Sequence, residues 1–212
     1  MKVLGIDPAI ATCGFALLEH DDTASRVLDV GAWECKAGAP LEVRLEELRG
    51  DVLPYLRGTK PEVVIAETPT FMQHAQSYAM LWASFATIGA CVAASPWPVA
   101  FIARATKDWR ARIGLLPEKA VMPKMPRHPK SGNGERCICA ECALVRKLRR
   151  KASAEAKKRR KASSTGLAVE RFPGAKALLD ATTPEGFHEH ALEALCVAIS
   201  WTDKATGTQR AA

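Results

Sequence analysis

The 212-residue sequence predicts an α/β fold in which a mixed β-sheet is flanked by helices. Short apolar runs, each stopped by turn or acidic residues, predict buried strands. Longer segments between them carry apolar residues at helical spacing. The resulting order is three strands, then helix, strand, helix, strand and helix, which is typical of a mixed sheet covered by helices.

The first three predicted strands form an antiparallel meander. Residues 2–6 are an apolar, partly β-branched run that Asp7-Pro8 ends. Residues 14–18 follow at hairpin distance, and a third strand covers about 26–33. This meander opens the predicted sheet.

The remaining elements alternate between helix and strand. Leucines and a valine at helical spacing predict a helix over 41–57, and residues 61–66 form a buried strand that ends at Glu67. The helix predicted over 74–94 is apolar on most sides, which indicates burial against a core or a partner subunit. A strand at 99–102 and a closing helix at 188–202 complete the domain.

Composition changes sharply after residue 116. Residues 117–136 are rich in Pro, Lys and Gly, as in an extended linker, and 140–162 are rich in Ala, Lys and Arg, as in a basic helix. The span 119–161 carries 15 Lys and Arg against three Glu, whereas the rest of the chain is mildly acidic. A solvated charge run is the simpler explanation, but this density favours a polyanion partner such as nucleic acid. The predicted organisation is therefore a globular domain over 1–116 and 163–202, a basic insert over 117–162 and a disordered tail over 203–212.

Nothing in the sequence predicts export. No apolar run reaches the roughly 18 residues of a membrane helix, and the N-terminal apolar run meets an acid and a proline too early for a signal peptide. The seven cysteines are therefore expected to be reduced thiols or metal ligands, and the protein to be cytoplasmic.

Two acids occupy positions that favour catalysis. Asp7 and Glu67 each follow a buried strand, and ligands of α/β sheets bind beyond the carboxyl ends of the strands. Either acid alone also has a simple structural explanation, as a turn starter or a surface acid.

The closing helix adds a polar pair. His190 and Glu193 are three residues apart and share one helix face, from which they can serve a common metal ion. The alternative is an exposed helix N-terminus, where Glu189 favours the helix dipole and the histidines face water.

Four blocks of the sequence follow one another in a specific order. They are Leu4-Gly5-Ile6-Asp7-Pro8 with Gly14-Phe15, Arg44-Leu45 through Glu67, Gln76-Ser77-Tyr78-Ala79 through Gly89, and Ala194-Leu195-Cys196-Val197-Ala198-Ile199. In this order they resemble the RuvC family of Holliday-junction resolvases. Lys107-Asp108-Trp109-Arg110 through Gly114-Leu115, with Phe172-Pro173, looks most like the phage-type branch. The resemblance covers all but the basic insert.

The resemblance implies an RNase H-like fold and two-metal hydrolysis of phosphodiesters with Mg²⁺, for which Mn²⁺ can substitute. The family's acidic tetrad carries over to Asp7, Glu67, His190 and Glu193 as catalytic residues and metal ligands. His190 stands where most members have Asp, and it could ligate a metal or handle the proton of the attacking water. Ala9 replaces a common Gly of the family, which puts the local loop geometry in question.

Other acids compete for these roles. Glu189 is the serious rival, because it forms an i, i+4 pair with Glu193. The remaining competitors are Asp108, Asp180 and Glu185.

The resemblance and the charge pattern also predict DNA contacts. Phe71 resembles an aromatic residue of the family that stacks on unpaired bases, although it could equally be a core residue. Lys107 resembles a lysine near the scissile phosphate. The other predicted contacts are basic side chains, namely Arg110, Lys147, Arg149, Arg150, Lys151, Lys157, Lys158, Arg159, Arg160 and Lys161.

Three cysteines of the insert form a possible zinc site. Cys137, Cys139 and Cys142 lie within six residues, and His128 is the nearest fourth ligand for a tetrahedral site. Free thiols, or a site shared between subunits, are the competing interpretations. The other four cysteines lie in apolar settings and are expected in the core.

We therefore expect a homodimeric, Mg²⁺-dependent endonuclease that resolves four-way or other branched DNA. Two symmetric cuts in a four-way junction fit two active sites related by a two-fold axis. A DNA-binding protein without catalysis is one alternative. An actin- or sugar-kinase-type ATPase is another, but it fits neither the chain length nor the basic insert.

Overall fold

The computed structural model describes eleven helices and strands among the residues whose placement is defined. These residues are 1–21, 24–36, 38–70, 74–115, 123–124, 139–184, 186 and 188–205.

Five strands form one mixed sheet in the order β3-β2-β1-β4-β5. The antiparallel part consists of β1 (Lys2–Asp7), β2 (Thr12–His20) and β3 (Ser25–Glu34). On the other side of β1, β4 (Val63–Glu67) and β5 (Ala100–Arg104) run parallel to it and to each other. This is the mixed sheet that the sequence predicts.

Helices cover both faces of the sheet, so β1, β2 and β4 are buried on both faces. On β1, Val3 belongs to one apolar cluster and Leu4 to the other, as the alternation of side chains along a strand requires. One cluster includes residues of α1 (Leu41–Thr59) and α2 (Ala75–Ala93). The continuous apolar runs in the sequence follow from this double burial.

Helices from the second half of the chain pack on the opposite face. These helices are α3 (Thr106–Arg112), the end of α4 (Ala140–Arg171), α5 (Pro173–Thr182) and α6 (His188–Ala205). Their apolar side chains form the second cluster, which includes the fully buried Trp109 and Leu195. No helix within the described residues is long and apolar enough to cross a membrane.

Two glycines let α6 lie unusually close to the sheet. A Cβ added to Gly5 of β1 would lie 2.2 Å from the Ala194 carbonyl oxygen, and one added to Gly14 of β2 would lie 2.1 Å from the His190 carbonyl oxygen. Side chains at these two points would collide with the α6 backbone. The glycines therefore fix the position of α6 and of the side chains that it carries.

The chain divides into two compact units. One comprises Met1–Leu116 and Ser164–Ala212, and the other comprises Pro117–Ser163. The whole sheet belongs to the first unit, and the described part of the second is dominated by the basic first turns of α4.

Two predicted boundaries are wrong. The basic helix was expected to end at 162, but α4 continues to Arg171 because its last turns pack into the core, where Ala168 is fully buried. The disordered tail was expected from 203, but α6 continues to Ala205, and Asp203 forms an ion pair of 2.7 Å with Arg171. Tertiary contacts override the local sequence signals at both places.

Candidate active site

Asp7 and Glu67 lie side by side at one edge of the sheet. β1 and β4 are parallel neighbours in which Ile6 pairs with Ala66, so the next residue of each strand is an acid at the carboxyl edge. The Asp7 side chain is 13% exposed, and Glu67 is half-buried. The sequence predicted both placements.

His190 reaches Asp7 from α6. The imidazole Nδ1 lies 2.7 Å from Asp7 Oδ2, within hydrogen-bond distance. This contact depends on Gly14, which pairs with Asp7 across β1 and β2 and leaves room for the backbone at His190. The close approach of helix and sheet therefore brings these two side chains together.

Glu193 lies one helical turn beyond His190 and is paired with a cation. Arg110 of α3 donates a hydrogen bond from Nη2 to Glu193 Oε1 over 3.0 Å. Both side chains are largely buried, at 13% and 14% exposure, so this ion pair is shielded from water. The Arg110 guanidinium also lies over the Trp109 ring, 4.7 Å from its centroid.

Two donors from α3 hold Glu67. Thr106 Oγ1 donates to Glu67 Oε1 over 2.5 Å, and Trp109 Nε1 donates to Glu67 Oε2 over 2.7 Å. Because an indole N–H is a donor only, Oε2 must accept, and both carboxylate oxygens are fixed in direction.

The acids influence one another electrostatically. Burial and the neighbouring Asp7 carboxylate raise the pKa of Glu67 to about 7, and Glu193 adds to the increase. The hydrogen bonds from Thr106 and Trp109 act in the opposite direction. Such mutual repulsion is expected of carboxylates gathered to share a cation.

The donor set suits a hard divalent cation. Carboxylate oxygens are the preferred ligands of such ions, and an imidazole can complete the set. In the described part of the chain, however, no three His, Cys, Asp or Glu side chains are arranged as ligands of one ion. Instead, His190 is bonded to Asp7, Glu67 to α3, and Glu193 to Arg110.

Sequence reasoning missed the supporting role of α3. Thr106 and Trp109 were not predicted as site residues, and Arg110 was predicted only to contact DNA. The signal was a hydroxyl, an indole and a guanidinium within five residues, all directly after a strand that neighbours β4.

The predicted rivals lie elsewhere or have other contacts. Asp108 is exposed on α3, and Asp180 pairs with Lys176 at 3.1 Å. Glu189 is half-buried on α6, beside His190, and Glu185 lies outside the described residues.

The predicted DNA contacts are mostly exposed basic side chains. Lys107 is exposed on α3, and Phe71 lies outside the described residues. On α4 the predicted contacts are exposed except Lys161, which is half-buried; the exposed ones are Lys147, Arg149, Arg150, Lys151, Lys157, Lys158, Arg159 and Arg160.

Only part of the predicted zinc site is described. Cys142 is buried, and its backbone N–H donates to Cys139 Sγ over 3.4 Å. His128 and Cys137 lie outside the described residues, so zinc binding stays a prediction. The remaining cysteines, Cys13, Cys35, Cys91 and Cys196, are buried as predicted.

Comparison with known proteins gives one consistent family. Residues 3–106 match the family model of crossover junction endodeoxyribonuclease RuvC. The RuvC of Synechococcus sp. (strain WH7803) is 30% identical over 83 residues, which is 39% of this chain and 54% of the relative. The RuvC of Chloroflexus aggregans is 36% identical over 67 residues, covering 32% of this chain and 41% of the relative. The chain thus spans about half the length of the curated relatives it matches.

Solved structures agree on the fold. Thermus thermophilus RuvC in complex with Holliday junction substrate superimposes with a TM-score of 0.62 at 15% identity, covering 98% of this chain and 97% of that one. The yeast mitochondrial Holliday junction resolvase superimposes with a TM-score of 0.52 at 12% identity, covering 96% of this chain and 79% of that one. The RNase H-like architecture of these resolvases is the fold of this protein. By the match over residues 3–106 and by this fold, the chain is similar to the RuvC family.

Proposed function

We propose that the protein is a metal-dependent endonuclease that cleaves four-way or other branched DNA by paired phosphodiester hydrolysis. One observation carries the proposal. Asp7 and Glu67 end neighbouring parallel strands, and α6 places His190 2.7 Å from Asp7 with Glu193 one turn further along the helix. RuvC enzymes are metal-dependent nucleases, and this cluster provides the carboxylates that such chemistry requires.

We propose that the four side chains Asp7, Glu67, His190 and Glu193 hold two Mg²⁺ ions, for which Mn²⁺ can substitute. Bound there, the cations would activate water and stabilise the charge on the leaving 3′ oxygen. Thr106 and Trp109 keep both oxygens of Glu67 in one orientation, which reduces reorganisation on binding.

His190 contacts one of the acids directly. Its Nδ1 lies within hydrogen-bond distance of Asp7 Oδ2, so this nitrogen is engaged within the cluster. A histidine in place of the usual carboxylate removes one negative charge from the site. We expect weaker binding of divalent cations than a four-carboxylate site would give.

The basic residues of α4 support the DNA-binding part of the proposal. Basic side chains in the runs 149–151 and 157–161 point around most of the helix circumference, because successive residues differ by about 100°. Neutralising them with a polyanion would relieve their mutual repulsion.

A homodimer is supported by α2. No residue of Ala75–Ala93 carries a formal charge, and Trp82 is 39% exposed. Tyr78 and Phe85 pack edge-on against Trp82, which extends an aromatic surface along this helix. A second copy of the chain would bury this surface and present two active sites to one junction.

The test is cleavage of synthetic DNA. Purified protein is incubated with four-way, three-way and linear duplexes of matched sequence in Mg²⁺, Mn²⁺ or EDTA. We expect paired nicks in branched DNA only, and only with a divalent cation. Junctions bound but left intact with both cations would contradict the proposal and favour a binding protein without catalysis.

A further inference from the structure

The strongest unexplained feature of the site is a buried arginine that competes for one of its acids. Arg110 lies between the Trp109 ring and the Glu193 carboxylate, with both members of the ion pair largely withdrawn from water. The sequence predicts only that Arg110 contacts DNA. A contact with DNA does not explain why the Arg110 guanidinium pairs with Glu193, a carboxylate that is needed to hold a metal ion.

The electrostatics of the cluster suggest an answer. Asp7 and Glu67 lie side by side at one edge of the sheet, and Glu193 is largely buried one turn beyond His190 on α6. Carboxylates gathered in a partly buried space repel one another. A guanidinium 3.0 Å from Glu193 offsets part of this negative charge. A divalent cation in the same cluster would supply the same compensation, and it would also repel the guanidinium.

We propose that Arg110 is an internal counter-ion that is exchanged for metal: it neutralises Glu193 until a divalent cation binds, and is then released to bind a DNA phosphate. The inference rests on the proposed metal-dependent nuclease function. Arg110 is thereby a positioning residue for Glu193 before metal binding and a phosphate ligand afterwards.

The exchange requires only a movement of the Arg110 side chain. Arg110 is part of α3, whose Thr106 and Trp109 stay bonded to Glu67, so the helix itself need not move. The stacked Trp109 ring supports the planar guanidinium without using its N–H donors. A guanidinium is also the side chain best matched to the paired oxygens of a phosphate.

The first experiment measures Mn²⁺ binding to metal-free protein by calorimetry. Arg110→Gln removes the competing charge and is expected to bind Mn²⁺ at least about fivefold more tightly than wild type, since like charges a few ångströms apart repel strongly inside a protein. Arg110→Lys, which keeps the charge, should stay within about twofold of wild type.

The matched control is Arg112→Gln. Arg112 is exposed on the same helix, so its loss changes the net charge equally but should leave Mn²⁺ affinity within about twofold of wild type. Weaker or unchanged Mn²⁺ binding by Arg110→Gln would overturn the exchange. Loss of an arginine with a purely structural role would either misplace Glu193, which weakens binding, or leave Mn²⁺ affinity unchanged. A different result would contradict the proposed function, namely that the wild type binds no Mn²⁺, or binds it equally well when Asp7→Asn is introduced.

The second experiment measures junction affinity in EDTA and in saturating Ca²⁺, a probe cation used here to follow binding rather than cleavage. If Arg110 reaches phosphate only after its release, Arg110→Gln should weaken junction binding several-fold in Ca²⁺ and little in EDTA. An equal loss in both conditions would mean that Arg110 binds DNA independently of metal, which contradicts the exchange. The thermal midpoint of each variant, measured in parallel, verifies that the compared proteins are folded.

Discussion

The indole Nε1 of the fully buried Trp109 donates a hydrogen bond of 2.7 Å to Oε2 of Glu67. The bond joins a seven-residue helix to the end of a central strand. It fixes the direction of a carboxylate whose pKa burial and two neighbouring acids raise, and it opposes part of that increase.

Trp109→Phe should therefore impair cleavage more than it impairs stability. The aromatic ring stays, but Glu67 loses a donor, so we expect a loss of about 1–2 kcal/mol in the free energy of unfolding. Cleavage should fall roughly 10- to 100-fold, as for other residues that orient metal ligands. Urea unfolding and single-turnover cleavage measure the two effects.

Trp97→Phe is the matched control. Trp97 also donates from its indole, to the Pro61 carbonyl over 3.2 Å, but it packs in the cluster of α1 and α2. Trp97→Phe should lower the free energy of unfolding by a similar amount and leave the rate of cleavage unchanged. If Trp109→Phe and Trp97→Phe cleave DNA equally well, Trp109 has no role in orienting Glu67 for cleavage.

Asp7→Asn, Glu67→Gln and Glu193→Gln should each abolish cleavage and largely preserve junction binding. Each change removes a metal-binding charge with little change of shape, and phosphate contacts supply most of the affinity. Gel-shift and nicking assays on the same samples separate the two properties. The exposed Asp108→Asn serves as the control and should remain active.

The α6 positions need a separate comparison. His190→Ala should be inactive, and His190→Asp, which restores the usual family residue, should retain partial activity. Glu189→Gln should cleave normally, because His190 is the residue bonded to Asp7. An inactive Glu189→Gln together with an active His190→Ala would reverse the assignment.

Gly14→Ala should disrupt both fold and site, since its Cβ would overlap the His190 backbone. We expect a loss of about 1–3 kcal/mol on unfolding, as for other overpacked positions. Gly50→Ala is the matched control within α1, where nothing lies within 4 Å of the added Cβ. It should stabilise by about 0.5–1 kcal/mol through helix propensity. Thermal or urea unfolding of the two variants should therefore shift in opposite directions.

The basic surface of α4 can be tested by salt dependence. A quadruple variant with Gln at four exposed positions, Arg149, Arg150, Lys157 and Lys158, should bind junctions more weakly. If all four contact phosphates, the slope of log K against log salt should flatten by about 3 to 4 units. The control carries Gln at four exposed positions of the other unit, Arg26, Arg49, Arg57 and Lys60. An unchanged slope in the α4 variant would exclude a DNA-binding role.

The exposed aromatic surface of α2 predicts the oligomeric state. Trp82→Lys should shift a dimer to a monomer in light scattering, because it places a charge in an apolar contact. Val43→Lys, at 43% exposure against 39% for Trp82, is the matched control on α1 and should not change the mass. A wild-type protein that is monomeric at micromolar concentration would contradict the dimer.

Sequence reasoning succeeded where the physical signal is local. The strand ends at Asp7 and Glu67 follow from apolar runs stopped by acids, and the placement of His190 and Glu193 one turn apart on α6 follows from helical spacing. It failed at α3 and α5, whose seven and ten residues are too short for a clear apolar period. The ion pair between Arg110 and Glu193 joins residues far apart in the chain, so no local pattern encodes it.

The end of α4 shows a different kind of failure. The run Ser163-Ser164-Thr165-Gly166 has low helix propensity and favours a boundary. The helix nevertheless continues because Ser164 and Ala168 are fully buried, and the Cys196 thiol donates to the Ser164 carbonyl.

The delivery of the acids by β1, β4 and α6 has a consequence for biosynthesis. Asp7 precedes Glu193 in the sequence by most of the residues of the fold, so the ribosome makes it much earlier. Because Gly5 and Gly14 admit α6 only against a finished sheet, a nascent or half-folded chain cannot assemble the cluster. A ribosome-bound fragment that ends before α6 would therefore lack the assembled cluster of acids, even when it already carries the basic helix.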